Sequence, residues 1–286
     1  MTPNPSTTRP PEIEAWSNRL LVHRLSAALL PRAIALGVHP NAVTMLGLLF
    51  GLAAAAAYTR WDNPWFATLG FLLMIGWHVM DGLDGALARA TGKTSAFGRL
   101  LDGVADYSTF VAVGLALAFA QDNIPLALVL ALSAGVAHAL QSAFYEAERE
   151  TYIRRSRGQF AASARSEVGG AVERLYNRGE AWLGNCTRPF DQLLAVTPPA
   201  ERARMLADWR AKAAPRLMLL SPLSANGRTI AIWLACLAGS PFLYWIWELL
   251  ALTLLALAGG HWLRQAEVRQ GAPESGPPPS PSSRGF

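Results

Sequence analysis

Residues 65–88 read WFATLGFLLMIGWHVMDGLDGALA. The first sixteen positions carry no charge, and the whole stretch is long enough to cross a bilayer, which takes about 20 apolar residues. It then ends on two aspartates, Asp81 and Asp84. A soluble domain has no use for so long an apolar run. A membrane span that closes on two carboxylates is a structural statement and a chemical one together.

Working outward, five more apolar stretches appear, at about 42–59, 97–120, 124–145, 228–241 and 242–263. The one at 228–241 is short if it stops at Ser240-Pro241, so its start is expected a few residues earlier. The fold expected is all-α: a polytopic integral membrane protein with six transmembrane helices. Composition agrees. The 286 residues are 52% hydrophobic and only 16% charged, with a mean hydropathy of +0.22, against roughly 25% charged residues in soluble domains. Cys186 and Cys236 fit no disulfide or thiolate-metal spacing.

Residues 13–36 mix Leu, Ala and Ile with Arg19, His23, Arg24 and Arg32. That pattern predicts an interfacial amphipathic helix bent near Pro31, within an N-terminal unit at 12–38. Residues 39–270 are the expected six-helix catalytic domain, with a cytosolic helical insertion at about 146–227. Helical segments are expected inside it at 163–183 and 200–213. The Pro/Ser-rich ends, 1–11 and 271–286, are expected to be disordered tails, and no signal peptide is expected.

Charge sets the orientation. With the N-terminus inside, the outer loops are 59–64, 121–124 and the Gly239-Ser240-Pro241 turn, and of all the Arg and Lys only Arg60 lies there. This positive-inside asymmetry predicts a multi-pass protein with both termini and the active site cytosolic, and the richness in arginine and alanine suggests a bacterial source, hence the cytoplasmic (inner) membrane. The basic surplus, 23 Arg against two Lys, belongs to that face, so anionic lipid is the expected partner and nucleic acid is not. Tyr58, Trp61, Trp65, Tyr244, Trp245 and Trp247 gather at the predicted outer edge.

Four of the eight aspartates fall within 26 residues: Asp81, Asp84, Asp102 and Asp106. Asp81, Asp84, Gly85 and Ala88 share one helical face, with Arg89 at its edge. Gly98, Asp102 and Asp106 repeat every four residues on the next helix. Gly92 as a helix stop and Ser95 as an N-cap would make the two helices antiparallel neighbours. Four converging carboxylates repel unless cations sit among them. Oxygen donors select hard ions, Mg²⁺ or Mn²⁺. Gly85 and Gly98 leave room for a ligand, and Arg89 suits a phosphate. Gly92-Lys93-Thr94 is no phosphate-binding loop, because position 87 is Leu87 and no strand precedes it.

Residues 81–106, DGLDGALARATGKTSAFGRLLDGVAD, fill the pattern D-x-x-D-G-x-x-A-R-x8-G-x-x-x-D-x-x-x-D. This resembles the signature of the CDP-alcohol phosphotransferases (CDP-alcohol phosphatidyltransferases), at all eight fixed positions. His39-Pro40-Asn41-Ala42-Val43-Thr44 is similar to the family's Pro-Asn-x-x-Thr stretch. The resemblance implies that Asp81, Asp84 and Asp102 hold two divalent ions in a site shared with Asp106, and that Asp106 is the general base. It implies that Gly85, Ala88, Arg89 and Gly98 contact the CDP group with Asn41 and Thr44 nearby. It further implies transfer of a phosphatidyl group from CDP-diacylglycerol to a polar alcohol with release of CMP, and a homodimer. The alternative is transfer of a phospho-alcohol head group from a CDP-linked small alcohol to a lipid hydroxyl. An aspartate-rich intramembrane prenyltransferase would separate its two motifs widely in sequence. A cation transporter would carry mid-membrane carboxylates and an internal repeat.

For an anionic acceptor the candidate ligands are Arg149, Arg154, Arg155, Arg157 and Arg228; Tyr145–Glu150 would suit an amino alcohol instead. His78, three residues before Asp81 on roughly the same face, is expected to make a buried interhelical hydrogen bond, the alternative being that it orients a carboxylate. His138 is expected to be a core histidine, and Glu248 to reach the outer interface. Gly47 and Gly51 predict a close helix contact.

Overall fold

The first four membrane-length helices each begin at a residue whose side chain caps them. In the computed structural model, which describes residues 10–14, 21–161 and 187–271, α1 is His23–Ala35 and α2 is Pro40–Tyr58. The His39 ring accepts a hydrogen bond from the Asn41 amide at the head of α2, and Pro40 fills the first turn, where its missing N–H costs nothing. α3, Pro64–Thr91, starts the same way, with Asn63 capping Trp65. It stops at Gly92, whose φ of 67° is left-handed and therefore suits glycine. α4, Ala96–Phe119, is capped by Ser95, which accepts from the Gly98 amide at 2.9 Å. The tight link expected between the aspartate helices is thus present, with both of its predicted signals.

α5, Ile124–Ser156, has 33 residues, about 50 Å at 1.5 Å per residue. That exceeds a hydrocarbon core of about 30 Å, so it runs well past the predicted span of 124–145. α6 (Pro189–Val196) and α7 (Pro199–Leu219) follow. α7 contains the segment expected at 200–213, whereas the one at 163–183 lies outside the described residues, as do both ends, 1–9 and 272–286. α8 is Ala225–Leu237. α9, Phe242–Ile246, passes through a π-helical turn, Trp247–Leu252, into α10, Thr253–Gly271. No strand occurs among the described residues.

Five of these helical runs are long and apolar enough to cross a membrane: Pro40–Tyr58, Pro64–Thr91, Ala96–Phe119, Ile124–Ser156 and Phe242–Val268. The expected sixth, α8, has 13 residues, about 20 Å. It does begin before 228, but the chain turns at Gly239 (φ 83°) and Pro241, so it ends early. The N-terminal unit also differs from expectation. Pro11–Ile13 is a separate 3-10 turn and not the start of α1. Ile13 is buried against the α5 and α7 side chains, and Glu12 accepts hydrogen bonds from Tyr152 and Arg210.

α2 is the hub. A Cβ on Gly47 would lie 3.2 Å from the Met80 Cβ of α3, and one on Gly51 would lie 2.3 Å from Thr109 Oγ1 of α4. These glycines let both aspartate-bearing helices press on one neighbour. The close contact expected from the Gly47/Gly51 pair is therefore made within the chain. Ala54, Tyr58, Met74, Trp77, Val113, Leu117, Ile232 and Trp245 fill the main core.

A second core lies at the aspartate end of the bundle. Tyr145, Tyr152, Phe190, Leu194, Trp209, Leu217 and Leu263 form it. Ion pairs run through it. Asp191 accepts from Arg154 (3.2 Å) and Arg155 (2.7 Å), Glu267 from Arg155 (2.7 Å) and Arg188 (2.9 Å), and Glu148 from Arg188 (2.7 Å) and Arg264 (3.2 Å). Buried charges persist where they are paired and hydrogen-bonded. This set joins the end of α5 to α6 and α10.

Candidate active site

Three of the four signature aspartates meet. Asp81 of α3 and Asp102 and Asp106 of α4 are each half-buried, and a carboxylate oxygen from each lies within 4.8 Å of the others. Two features of the sequence produce this. The Gly92–Ser95 link folds α4 back along α3, and the four-residue repeat keeps Asp102 and Asp106 on one face. Three oxygen donors at this spacing could hold a divalent cation, and oxygen-only donor sets suit Mg²⁺ or Mn²⁺.

Asp84 is arranged differently. It is buried at 5% exposure, and its Oδ2 accepts a 2.5 Å hydrogen bond from Thr44 Oγ1 on α2. The same hydroxyl oxygen lies 3.3 Å from the Pro40 carbonyl oxygen. The remaining signature positions lie on the same two helices, α3 and α4. Arg89 is exposed and folds back over Gly85, its Nη1 3.2 Å from where a Cβ would stand on that glycine. Asn41 Oδ1 lies 3.3 Å from the corresponding point on Gly98, so the heads of α2 and α4 meet there. Ala88 is half-buried on the same α3 face. A larger residue at 85 or 98 would displace Arg89 or Asn41.

The arginines proposed for an acceptor are mostly engaged elsewhere. Arg154 and Arg155 are 2% and 0% exposed and bind Asp191 and Glu267. Burial alone would raise the Asp191 carboxyl, but hydrogen bonds from Arg155, the Arg188 amide and Arg154 hold it below the usual carboxylate range. Arg149 pairs with Glu146 and stacks on Tyr145, 5.3 Å from the ring centroid. Arg157 is exposed at the end of α5.

Arg228 is fully buried, its Nε 2.9 Å from Glu248 Oε1. This corrects the expectation that Glu248 reaches the outer interface. Glu248 is itself fully buried, because the π-helical turn carries it between α5 and α8. His78 Nε2 lies 3.0 Å from Thr229 Oγ1, an interhelical contact as expected. His138 packs against the Phe110 ring. Two contacts had no legible signal. Thr229 is one, and the other is Ser26 of α1, which donates to the Val79 carbonyl at 2.9 Å and sits against Gly82. That bond seats α1 on α3 beside the aspartates.

A bundle of apolar spans thus gathers three carboxylates at one end, inside the stretch that carries the signature. Residues 37–165 match the CDP-alcohol phosphatidyltransferase family, and the matched stretch contains the whole 81–106 signature. Two curated relatives are similar over 71 residues. An archaetidylinositol phosphate synthase of Pyrococcus horikoshii is 45% identical there, over 25% of this chain and 36% of its own. A CDP-diacylglycerol–serine O-phosphatidyltransferase of Encephalitozoon cuniculi is 41% identical, over 23% of this chain and 18% of its own. The matches thus span little more than a third, or less, of these relatives' length.

Proposed function

We propose that the protein transfers a phosphatidyl group from CDP-diacylglycerol to a polar alcohol and releases CMP. The observation that carries this reading is the meeting of Asp81, Asp102 and Asp106 inside the family's matched segment. The donor reading is supported by the relative whose name contains CDP-diacylglycerol. The two relatives' names differ in the alcohol part, serine in one and an inositol phosphate in the other, so the acceptor is left open.

Asp81, Asp84 and Asp102 would hold two divalent ions, Mg²⁺ or Mn²⁺. Such ions, when bound, supply charge neutralisation at the diphosphate and stabilise the departing CMP. Asp84 is fixed for that role by Thr44. Asp106 takes the proton of the acceptor hydroxyl, whose high pKa makes it a poor nucleophile without a positioned base. Arg89 meets a phosphate oxygen, and Gly85 and Gly98 let the cytidine diphosphate approach the helix backbones. The bond that breaks is the one between CMP and the lipid phosphorus. The alcohol oxygen forms the new one, with no covalent enzyme intermediate. We place the aspartate end at the cytosolic side of the membrane, from the positive charge gathered there.

The test is CMP release by the purified full chain with Mn²⁺ and CDP-diacylglycerol. Acceptors offered in parallel are glycerol 3-phosphate, serine, inositol, inositol phosphate and choline. CDP-choline with diacylglycerol runs beside them. One CDP-diacylglycerol arm is expected to release CMP. Release only in the CDP-choline arm reverses the donor assignment, and release in none sinks the reading.

A further inference from the structure

Arg228 and Glu248 make a closed polar knot buried inside the bundle. Glu248 takes Arg228 Nε on both oxygens, at 2.9 and 3.1 Å. Arg228 Nη1 donates to Ser142 at 3.0 Å and to the Leu223 carbonyl, and Nη2 donates to Gln141 at 2.9 Å. Gln141 in turn donates to the Glu248 carbonyl and to Thr253. The knot joins α5, α8 and the π-helical turn. Burying an ion pair carries a desolvation cost that an apolar pair of the same shape avoids, so stability alone is a weak account of it. Ionisable groups inside spans are usually tied to function, and π turns recur at functional sites.

The knot sits next to a route to the aspartates. α8 is too short to be fixed by its length, and Arg228 pins its first turn. Thr229, the next residue, meets His78 of α3 at 3.0 Å. His78 lies one helical turn before Asp81. Its ring is 4.4 Å from that of Trp77, and Trp77 meets Phe110 of α4 edge-on at 5.4 Å. Phe110 lies one turn after Asp106. The ring contacts therefore tie α3 to α4 one turn from the cluster on each helix.

We propose that Arg228 and Glu248 are positioning residues that act through Thr229 and His78 to hold Asp81 in register with Asp102 and Asp106. The inference rests on the metal-site reading above. Its direct probe is Mn²⁺ alone, titrated into the full chain in lipid nanodiscs and followed by the spin-resonance signal of the free ion. Loss of an outer partner of a metal ligand typically weakens the metal about 10–100-fold. Thr229 reaches Asp81 only through His78, one turn away on α3, so Thr229→Val is expected to raise the Mn²⁺ midpoint by less, about 3- to 10-fold. Thr229→Ser, which keeps the hydroxyl, is expected to restore it. Glu248→Gln is expected to move the midpoint the same way as Thr229→Val.

Thermal unfolding without Mn²⁺ separates a merely structural role. A Thr229→Val protein with lowered thermal stability and the wild-type midpoint overturns the proposal. So does equal loss in Thr229→Val and Thr229→Ser, which would make packing the cause. A Glu248→Gln midpoint equal to wild type removes the knot from the route. Wild-type protein that binds no Mn²⁺ overturns the metal reading itself, and this inference with it.

Discussion

Thr44 and Asp84 are 40 residues apart and meet at 2.5 Å. The bond joins α2 to α3 at the level of the cluster, and it distinguishes Asp84 from the other three aspartates. Removing the hydroxyl leaves a buried carboxylate without that donor, which costs about 1–3 kcal/mol. Thr44→Val is therefore expected to lower the unfolding temperature and to reduce CMP release at subsaturating Mn²⁺. Thr44→Ser should retain both. Equal behaviour of Val and Ser in the two assays would show that the bond does not matter.

Close approach at Gly51 makes a packing prediction. A methyl group there would stand 2.3 Å from Thr109 Oγ1 and 2.6 Å from its methyl, and α4 would have to move away from α2. Overpacking of this kind costs about 1–3 kcal/mol. Gly51→Ala is expected to lose stability and activity together, because α4 carries Asp102 and Asp106. Gly103 has nothing within 4 Å of the same point, so Gly103→Ala is the control and should unfold like the wild type or slightly later. Thermal unfolding of the two variants in one detergent decides it.

The ion pairs of the second core make a pH prediction. Asp191 is held below the usual carboxylate range by its arginine partners despite its burial. A carboxyl lowered in the folded state contributes stability in full above its unfolded value of about 3.9. That contribution fades as the pH falls through the lower folded value. Amide hydrogen exchange in α6, corrected for intrinsic rates, should show protection steady from pH 7 to about 5 and falling below about 4. Asp191→Asn leaves Arg154 without its carboxylate and Arg155 with Glu267 alone. Breaking a buried pair costs about 3–5 kcal/mol, so the variant should be weakly protected at every pH and change little on acidification. A variant that keeps the acid-dependent loss would assign it to another group.

What could be read in advance follows from locality. The Gly92–Ser95 link, the shared face of Asp102 and Asp106, and the capped start at Ser95 depend on neighbours within one or two turns. All were visible in the sequence. Arg154 and Arg155 look like free cations at a span end, because their partner Asp191 is 36 and 37 residues away and Glu267 is 112 residues from Arg155. Glu248 looks interfacial because the π-helical turn and the short α8 that bury it leave no periodic trace. Asp84 reads as equivalent to Asp81 until α2 brings up Thr44. The apolar run at 228–241 suggests a full span, but Gly239 and Pro241 end it after 13 residues.

Asp106 poses the sharpest test, because its carboxylate belongs to the same group of oxygens as Asp81 and Asp102. Asp106→Asn preserves the shape and removes the base. Loss of a general base slows a reaction by about 10²–10⁴-fold. Loss of a metal ligand also slows it, but that defect recovers when the ion is supplied in excess. The two are separated by measuring CMP release across a Mn²⁺ series after chelator treatment. Chelation should abolish wild-type activity, and added Mn²⁺ should restore it. Asp102→Asn is expected to need more Mn²⁺ and then to regain part of its rate. Asp106→Asn is expected to stay slow at saturation, since no amount of metal replaces a proton acceptor at that oxygen. Full recovery of Asp106→Asn at high Mn²⁺ would make Asp106 a ligand only and move the base elsewhere.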